Sequence, residues 1–107
     1  MPIYNKLVRD KILEIIEADG KRFSAKELSP EQHIIEIKRK LYEELNEFET
    51  AVSKDDAIEE LADILELIHS ILTIYDVNYD ILESIRVKKK RKRGGFEKGL
   101  YLIEVED

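Results

Sequence analysis

The sequence contains no cysteine and no tryptophan, and only two prolines and four glycines in 107 residues. Without cysteine, the chain can form neither a disulfide framework nor a thiolate metal site. With so few glycines and prolines there are few breaks between elements, and we find no internal repeat and no linker. The length fits one compact domain, residues 1–107.

Long apolar runs are also absent. The longest lies near residues 64–74 and is interrupted by four polar side chains, Glu66, His69, Ser70 and Thr73. A membrane span of about 20 apolar residues is therefore not expected. The first residues lack the apolar core of a signal peptide, and with the absence of cysteine this predicts a soluble, cytoplasmic protein.

Charge is abundant but uneven. Charged residues make up 39% of the chain, and the net charge is −6. Residues 86–93 carry seven positive charges and no negative one, so the remainder is more acidic than the total suggests. This basic run is either the solvated, dipole-compensating end of a helix or a segment that binds phosphate groups.

Capping residues and apolar spacing predict four helices. The first covers about residues 7–18 and stops before Gly20. The second begins at Ser29, where Pro30 and Gln32 complete a capping box, and it carries an apolar stripe from Ile34 as far as Val52. Ser53 caps a third helix over about 54–75, and Asn78 caps a fourth that reaches about Arg93.

The third helix is apolar on almost every side, which indicates that a second copy of the chain covers part of it. The segments 21–28 and 100–105 are candidates for a short β-hairpin, because the second is rich in β-prone side chains. The predicted fold class is therefore mainly all-α: a compact, oligomeric bundle of about four helices built on an antiparallel helix hairpin.

Two acidic pairs lie symmetrically about the turn between the second and third helices. Glu44 and Glu47 share one helix face, and so do Glu60 and Asp63. In an antiparallel hairpin centred between Ser53 and Lys54, Glu47 faces Glu60 and Glu44 faces Asp63. At about 1.5 Å per residue, all four acids converge roughly 10–14 Å from the turn.

Four carboxylates held close together repel one another, and a hard divalent cation relieves that repulsion. A ligand set made only of oxygen favours Mg²⁺ or Mn²⁺ over Zn²⁺. The pattern therefore predicts a metal site formed by Glu44, Glu47, Glu60 and Asp63. A single acidic pair would more simply be a solvated helix face; the symmetric register of two pairs favours the metal.

The acidic motif also resembles a known signature. Glu43-Glu44-x-x-Glu47 followed by Glu60-x-x-Asp63 is similar to the EExxE…ExxD pattern of the MazG-like nucleotide pyrophosphohydrolase superfamily. The segments 4–12 and 92–96 resemble one branch more closely, the small phosphoribosyl-ATP pyrophosphohydrolase-like proteins associated with a house-cleaning role. The resemblance covers nearly the whole chain.

This resemblance implies an α-helical homodimer or homotetramer that uses Mg²⁺ to cleave between the α and β phosphates of a nucleotide. The products would be pyrophosphate and a nucleoside monophosphate. The implied metal ligands are the same four acids, and Glu43, Glu44 and Glu47 are the candidates for taking a proton from the attacking water. The resemblance does not identify the base.

Cations must accompany these acids, because carboxylates alone would repel a polyphosphate. Lys89 and Arg93 lie four positions apart on one face of the fourth helix and are the predicted phosphate ligands. Lys6, Arg9 and Lys11 form a second, weaker basic group, in which Arg9 and Asp10 are candidates for an ion pair at a subunit contact.

Two other functions are compatible with the sequence. The run 86–93 resembles a nucleic-acid-binding basic region, although the acidic remainder would repel a phosphate backbone and no heptad zipper follows. The chain would instead be a non-catalytic helical module if the acids bind no metal.

Overall fold

The structure is a computed structural model, and it describes residues 2–107. It contains four helices: α1 (Ile12–Ala18), α2 (Pro30–Thr50), α3 (Lys54–Ile74) and α4 (Tyr79–Arg93). The described residues form no strand. The predicted all-α class with four helices is confirmed. Within residues 2–107, no helix combines the length and the apolar character that a membrane span requires.

Side-chain caps set the starts of the three long helices. At each start a side-chain oxygen accepts a hydrogen bond from the backbone N–H three residues further on. The distances are 3.2 Å at Ser29, 3.1 Å at Ser53 and 3.1 Å at Asn78. These bonds satisfy N–H groups that the first helical turn leaves without a partner, so the predicted starts of α2, α3 and α4 are confirmed.

The packing of α2 against α3 dominates the fold. The two helices are joined only by residues 51–53, and no other pair of helices in the described chain makes comparably extensive contact. Ile37 of α2 is fully buried and is the only apolar residue of that kind among residues 2–107. On α3, Ile58, Leu61 and Leu65 remain between 43% and 57% exposed. One copy of the chain therefore leaves much of α3 uncovered.

The first helix begins five residues later than the sequence predicts. Asn5 has a left-handed backbone conformation with φ 45°, which turns the chain, and residues 7–9 are not helical. The side chains of Lys6 and Arg9 in this segment pair with acids on α2 and α3. This segment makes ion pairs with residues far away in sequence, and helical periodicity does not reveal such contacts.

The predicted β-hairpin is wrong. Neither 21–28 nor 100–105 forms a strand, and the apolar side chains between Leu100 and Val105 are 72–90% exposed. A two-stranded hairpin in water is marginal without a surface to pack on. Because the tail packs on nothing in the described chain, its β propensity alone does not form a strand.

Candidate metal centre

Three carboxyl groups meet where α2 packs against α3. Glu44 and Glu47 are one turn apart on α2, and Glu60 of α3 lies between them. One oxygen from each of the three lies within 4.8 Å of the others. Three of the four acids that the sequence predicts as metal ligands therefore converge in the structure.

Glu44 is the only buried charged or polar residue in the described chain, with 6% of its surface exposed. Its Oε2 atom has no hydrogen-bond donor within residues 2–107, and neither has Oε2 of Glu60. A carboxylate that is shielded from water and lacks a donor is costly. The arrangement therefore requires either a proton or a cation between the carboxyl groups.

The pKa of each of the three carboxyl groups is raised. Burial is the main cause of the raised pKa of Glu44, with the charges of Glu47 and Asp63 adding to it. For Glu47 the main cause is a carboxyl–carboxyl hydrogen bond with Glu60, and for Glu60 it is the corresponding bond with Glu44. The cluster thus resists losing all its protons while no cation is present.

The residues present fit a metal ion. Three carboxylates from two helices can each supply an oxygen, and within the described residues Oε2 of Glu44 has no donor that a cation would have to displace. No histidine or cysteine belongs to this group, so its ligands are those preferred by hard cations. The cluster could therefore hold a metal ion.

Asp63, the fourth predicted ligand, contacts a different partner. Its Oδ1 atom accepts a hydrogen bond of 2.6 Å from Nη2 of Arg9. Asp63 still lies near enough for its charge to raise the pKa of Glu44 and of Glu60, after the larger effects of burial and hydrogen bonding. It thus sits at the edge of the cluster, and Arg9 pairs with it instead of with the neighbouring Asp10.

Glu43 forms ion pairs with two lysines. Nζ of Lys40 lies 3.4 Å from Glu43, and Nζ of Lys6 lies 4.0 Å from it. Its charge contributes to raising the pKa of Glu47, although less than the hydrogen bond to Glu60 does. Glu43 is thus adjacent to the three-acid cluster but is neutralised by its own lysine partners.

The predicted phosphate ligands form no ion pair with the acids in the described part of this chain. Lys89 and Arg93 are exposed near the end of α4, and within the described residues neither forms an ion pair with the cluster. The start of α4 contacts α3 through Tyr79, which stacks on His69 with ring centroids 4.7 Å apart. The cations that do lie beside the acids are Lys6, Arg9 and Lys40, as the pairs with Glu43 and Asp63 show.

Sequence reasoning noted the N-terminal basic group but gave it the smaller role. The spacing of Lys6, Arg9 and Lys11 contains no signal that shows which helices this group contacts.

Compared with known proteins, the chain matches no family model, no curated protein and no solved structure.

Proposed function

We propose that this chain is a Mg²⁺-dependent nucleotide pyrophosphohydrolase with a house-cleaning role. It would cleave a nucleoside triphosphate or a related nucleotide between the α and β phosphates, giving a monophosphate and pyrophosphate. The observation that carries the proposal is the buried Glu44 carboxyl group, which has an oxygen within 4.8 Å of oxygens of Glu47 and Glu60 and whose Oε2 lacks a donor within residues 2–107. The resemblance of the acidic motif to the MazG-like superfamily supports the same reaction.

The antiparallel arrangement of α2 and α3 would position the ligands. Only three residues, 51–53, join the two helices, and Glu44 and Glu60 each lie seven residues from that connection, at similar distances along their helices. Two long, capped helices hold side chains more rigidly than loops do, which suits a metal site. Glu44, Glu47 and Glu60 would hold Mg²⁺ or Mn²⁺, and Asp63 would complete the set.

When bound, the ion would neutralise phosphate charge and lower the pKa of a coordinated water. The proton of the attacking water would pass to Glu43, Glu44 or Glu47. Glu44 is enclosed and Glu43 is engaged by two lysines, whereas Glu47 is exposed and open to water. These differences favour Glu47 as the proton acceptor.

A homodimer or homotetramer is part of the proposal. The apolar side chains of α3 that one copy leaves exposed would be buried by a second copy. On α2, Leu41, Tyr42 and Leu45 line a further shallow apolar depression. Burying such surface against a second copy would remove it from water at about 25 cal/mol per Å². A neighbouring subunit could then bring Lys89 and Arg93 to the phosphates, which one copy does not do.

The test is a panel of nucleoside triphosphates, including damaged and non-standard bases, incubated with Mg²⁺ while pyrophosphate is measured. We expect release of pyrophosphate and a monophosphate from at least one member, and none after chelation of the metal. Absence of turnover across the panel, together with no metal-dependent thermal shift, would refute the proposal.

The nucleic-acid alternative rests on the exposed basic run of α4, whose last turn contains only Lys and Arg. Filter binding to DNA and RNA at moderate salt separates the two functions. Tight retention that weakens steeply with salt would favour nucleic-acid binding, because released counterions drive such binding. We expect no such retention.

A further inference from the structure

The N-terminal segment places a cation on each of the two helices that form the acidic cluster. Arg9 donates to Asp63 of α3 at 2.6 Å, across 54 positions of sequence, and Lys6 lies 4.0 Å from Glu43 of α2. These contacts bring the segment that precedes α1 to the edge of the cluster. They are not local helix pairs like the one between Arg39 and Glu36.

The contact between Arg9 and Asp63 is accessible to solvent. The side chain of Arg9 is 61% exposed and that of Asp63 is 37% exposed. An ion pair of this kind contributes little to stability, so a competing cation can displace it. Asp63 lies one turn after Glu60 on α3, so its carboxylate is a candidate for an additional ligand of a cation held by the cluster.

A guanidinium group and a divalent cation compete for Asp63. Both need its oxygen lone pairs, and their charges repel each other. Once Asp63 has turned to a metal, the guanidinium is left beside a positively charged site. Its planar fork of N–H donors matches the oxygens of a phosphate group.

Building on the proposed function, we propose that Arg9 is a movable phosphate-binding residue. It neutralises Asp63 in the metal-free protein and transfers to the polyphosphate chain of the nucleotide when a divalent cation binds Asp63. Arg9 would thus supply, from within the same chain, the cation that Lys89 and Arg93 do not bring to the acids.

This exchange predicts two effects of opposite sign. Replacing Arg9 removes the competitor for Asp63, so divalent cations bind more tightly. The same replacement removes a charge-assisted hydrogen bond to phosphate, so phosphate ligands bind more weakly. If Arg9 merely oriented Asp63 toward the metal, its loss would weaken metal binding instead.

The experiment measures binding by calorimetry, with no turnover required. Mn²⁺ is titrated into the wild type, Arg9→Gln and the control Arg39→Gln, which breaks an exposed arginine–carboxylate pair on α2 at 2.8 Å. Methylenediphosphonate, a non-hydrolysable pyrophosphate analogue, is then titrated at saturating Mg²⁺. Arg9→Lys, which keeps the charge but loses the fork, serves as a second variant.

For Arg9→Gln we expect Mn²⁺ affinity to rise roughly two- to fivefold and methylenediphosphonate affinity to fall about tenfold. Both affinities of Arg9→Lys should lie between those of Arg9→Gln and the wild type. Both affinities of Arg39→Gln should equal those of the wild type. If the wild type binds Mn²⁺ but Arg9→Gln binds it equally or more weakly, the exchange is wrong and the metal site stands. If the wild type binds no Mn²⁺, the proposed function fails, and the exchange fails with it.

Discussion

Glu44 lies seven positions after Ile37 on α2, and these are the only two buried residues between positions 2 and 107. Seven positions are close to two helical turns, so both side chains occupy the same face of the helix. Ile37 is the one fully buried apolar residue of this range, and Glu44 carries a carboxyl oxygen that lacks a donor within the same range. A charged group therefore occupies a place where apolar packing would be more stable, which is typical of a functional site.

The raised pKa of Glu44 makes the stability of the metal-free protein depend on pH. The native chain binds more protons than the unfolded chain between the ordinary value of about 4.5 and the raised pKa. The contribution of Glu44 to the free energy of unfolding is therefore present below pH 4.5 and is lost as the pH rises through the raised pKa. Urea unfolding in EDTA should show the free energy of unfolding falling over this range.

The variant Glu44→Gln cannot ionise, so its stability should fall less steeply with pH. At neutral pH and without metal it should exceed the wild type by about 1 kcal/mol. Glu83, whose pKa is lowered by its hydrogen bond to Arg86, contributes in the opposite direction, but equally in both proteins. Parallel curves for the two proteins would contradict the assignment of the effect to Glu44.

A divalent cation should stabilise the wild type. At a hundred times its dissociation constant, an ion that binds only the native state adds about 2.7 kcal/mol to the free energy of unfolding. Thermal unfolding with Mg²⁺ or Mn²⁺ and with EDTA measures the shift. Glu60→Gln should lose it, whereas Glu59→Gln, an exposed neighbour outside the cluster, should keep it.

Removing single acids should separate activity from folding. Glu47→Ala and Asp63→Ala should lower pyrophosphate release by about a hundredfold or more, because a misplaced metal no longer neutralises the phosphates. Helix content by circular dichroism should stay unchanged, and Glu47→Ala relieves repulsion in the metal-free protein. Glu49→Ala, two positions along α2 and exposed, is the matched control and should retain activity. Unfolding of both cluster variants would contradict a metal-binding role.

The uncovered face of α3 predicts self-association. Light scattering should give a mass at least twice the 12.6 kDa of one chain. Leu65→Lys, at a position 46% exposed in one copy, should reduce the mass to that of a monomer, because a charge would be buried at the contact. Val52→Lys, at a position 98% exposed beside the turn, should leave the mass unchanged. A monomeric wild type would overturn this prediction.

The bounds of the three long helices could be predicted from the sequence because their signals are local. A cap such as Ser53 acts on the backbone three residues away, and the end of α3 at Ile74 lies within one residue of the predicted end. The start of α1 could not be predicted in this way. Residues 7–9 lie outside the helix, and Arg9 among them contacts Asp63, 54 positions away in sequence. Helical spacing contains no information about such a contact.

The sequence by itself determined the number of helices and indicated that Glu44, Glu47 and Glu60 lie near one another, because a short connection brings residues of the two helices together. Only the tertiary structure decided how the acids differ from one another. It buried Glu44, left Glu47 exposed and placed Arg9 on Asp63. These differences depend on which surfaces are excluded from water and on contacts between residues far apart in sequence, and neither follows from spacing along a helix.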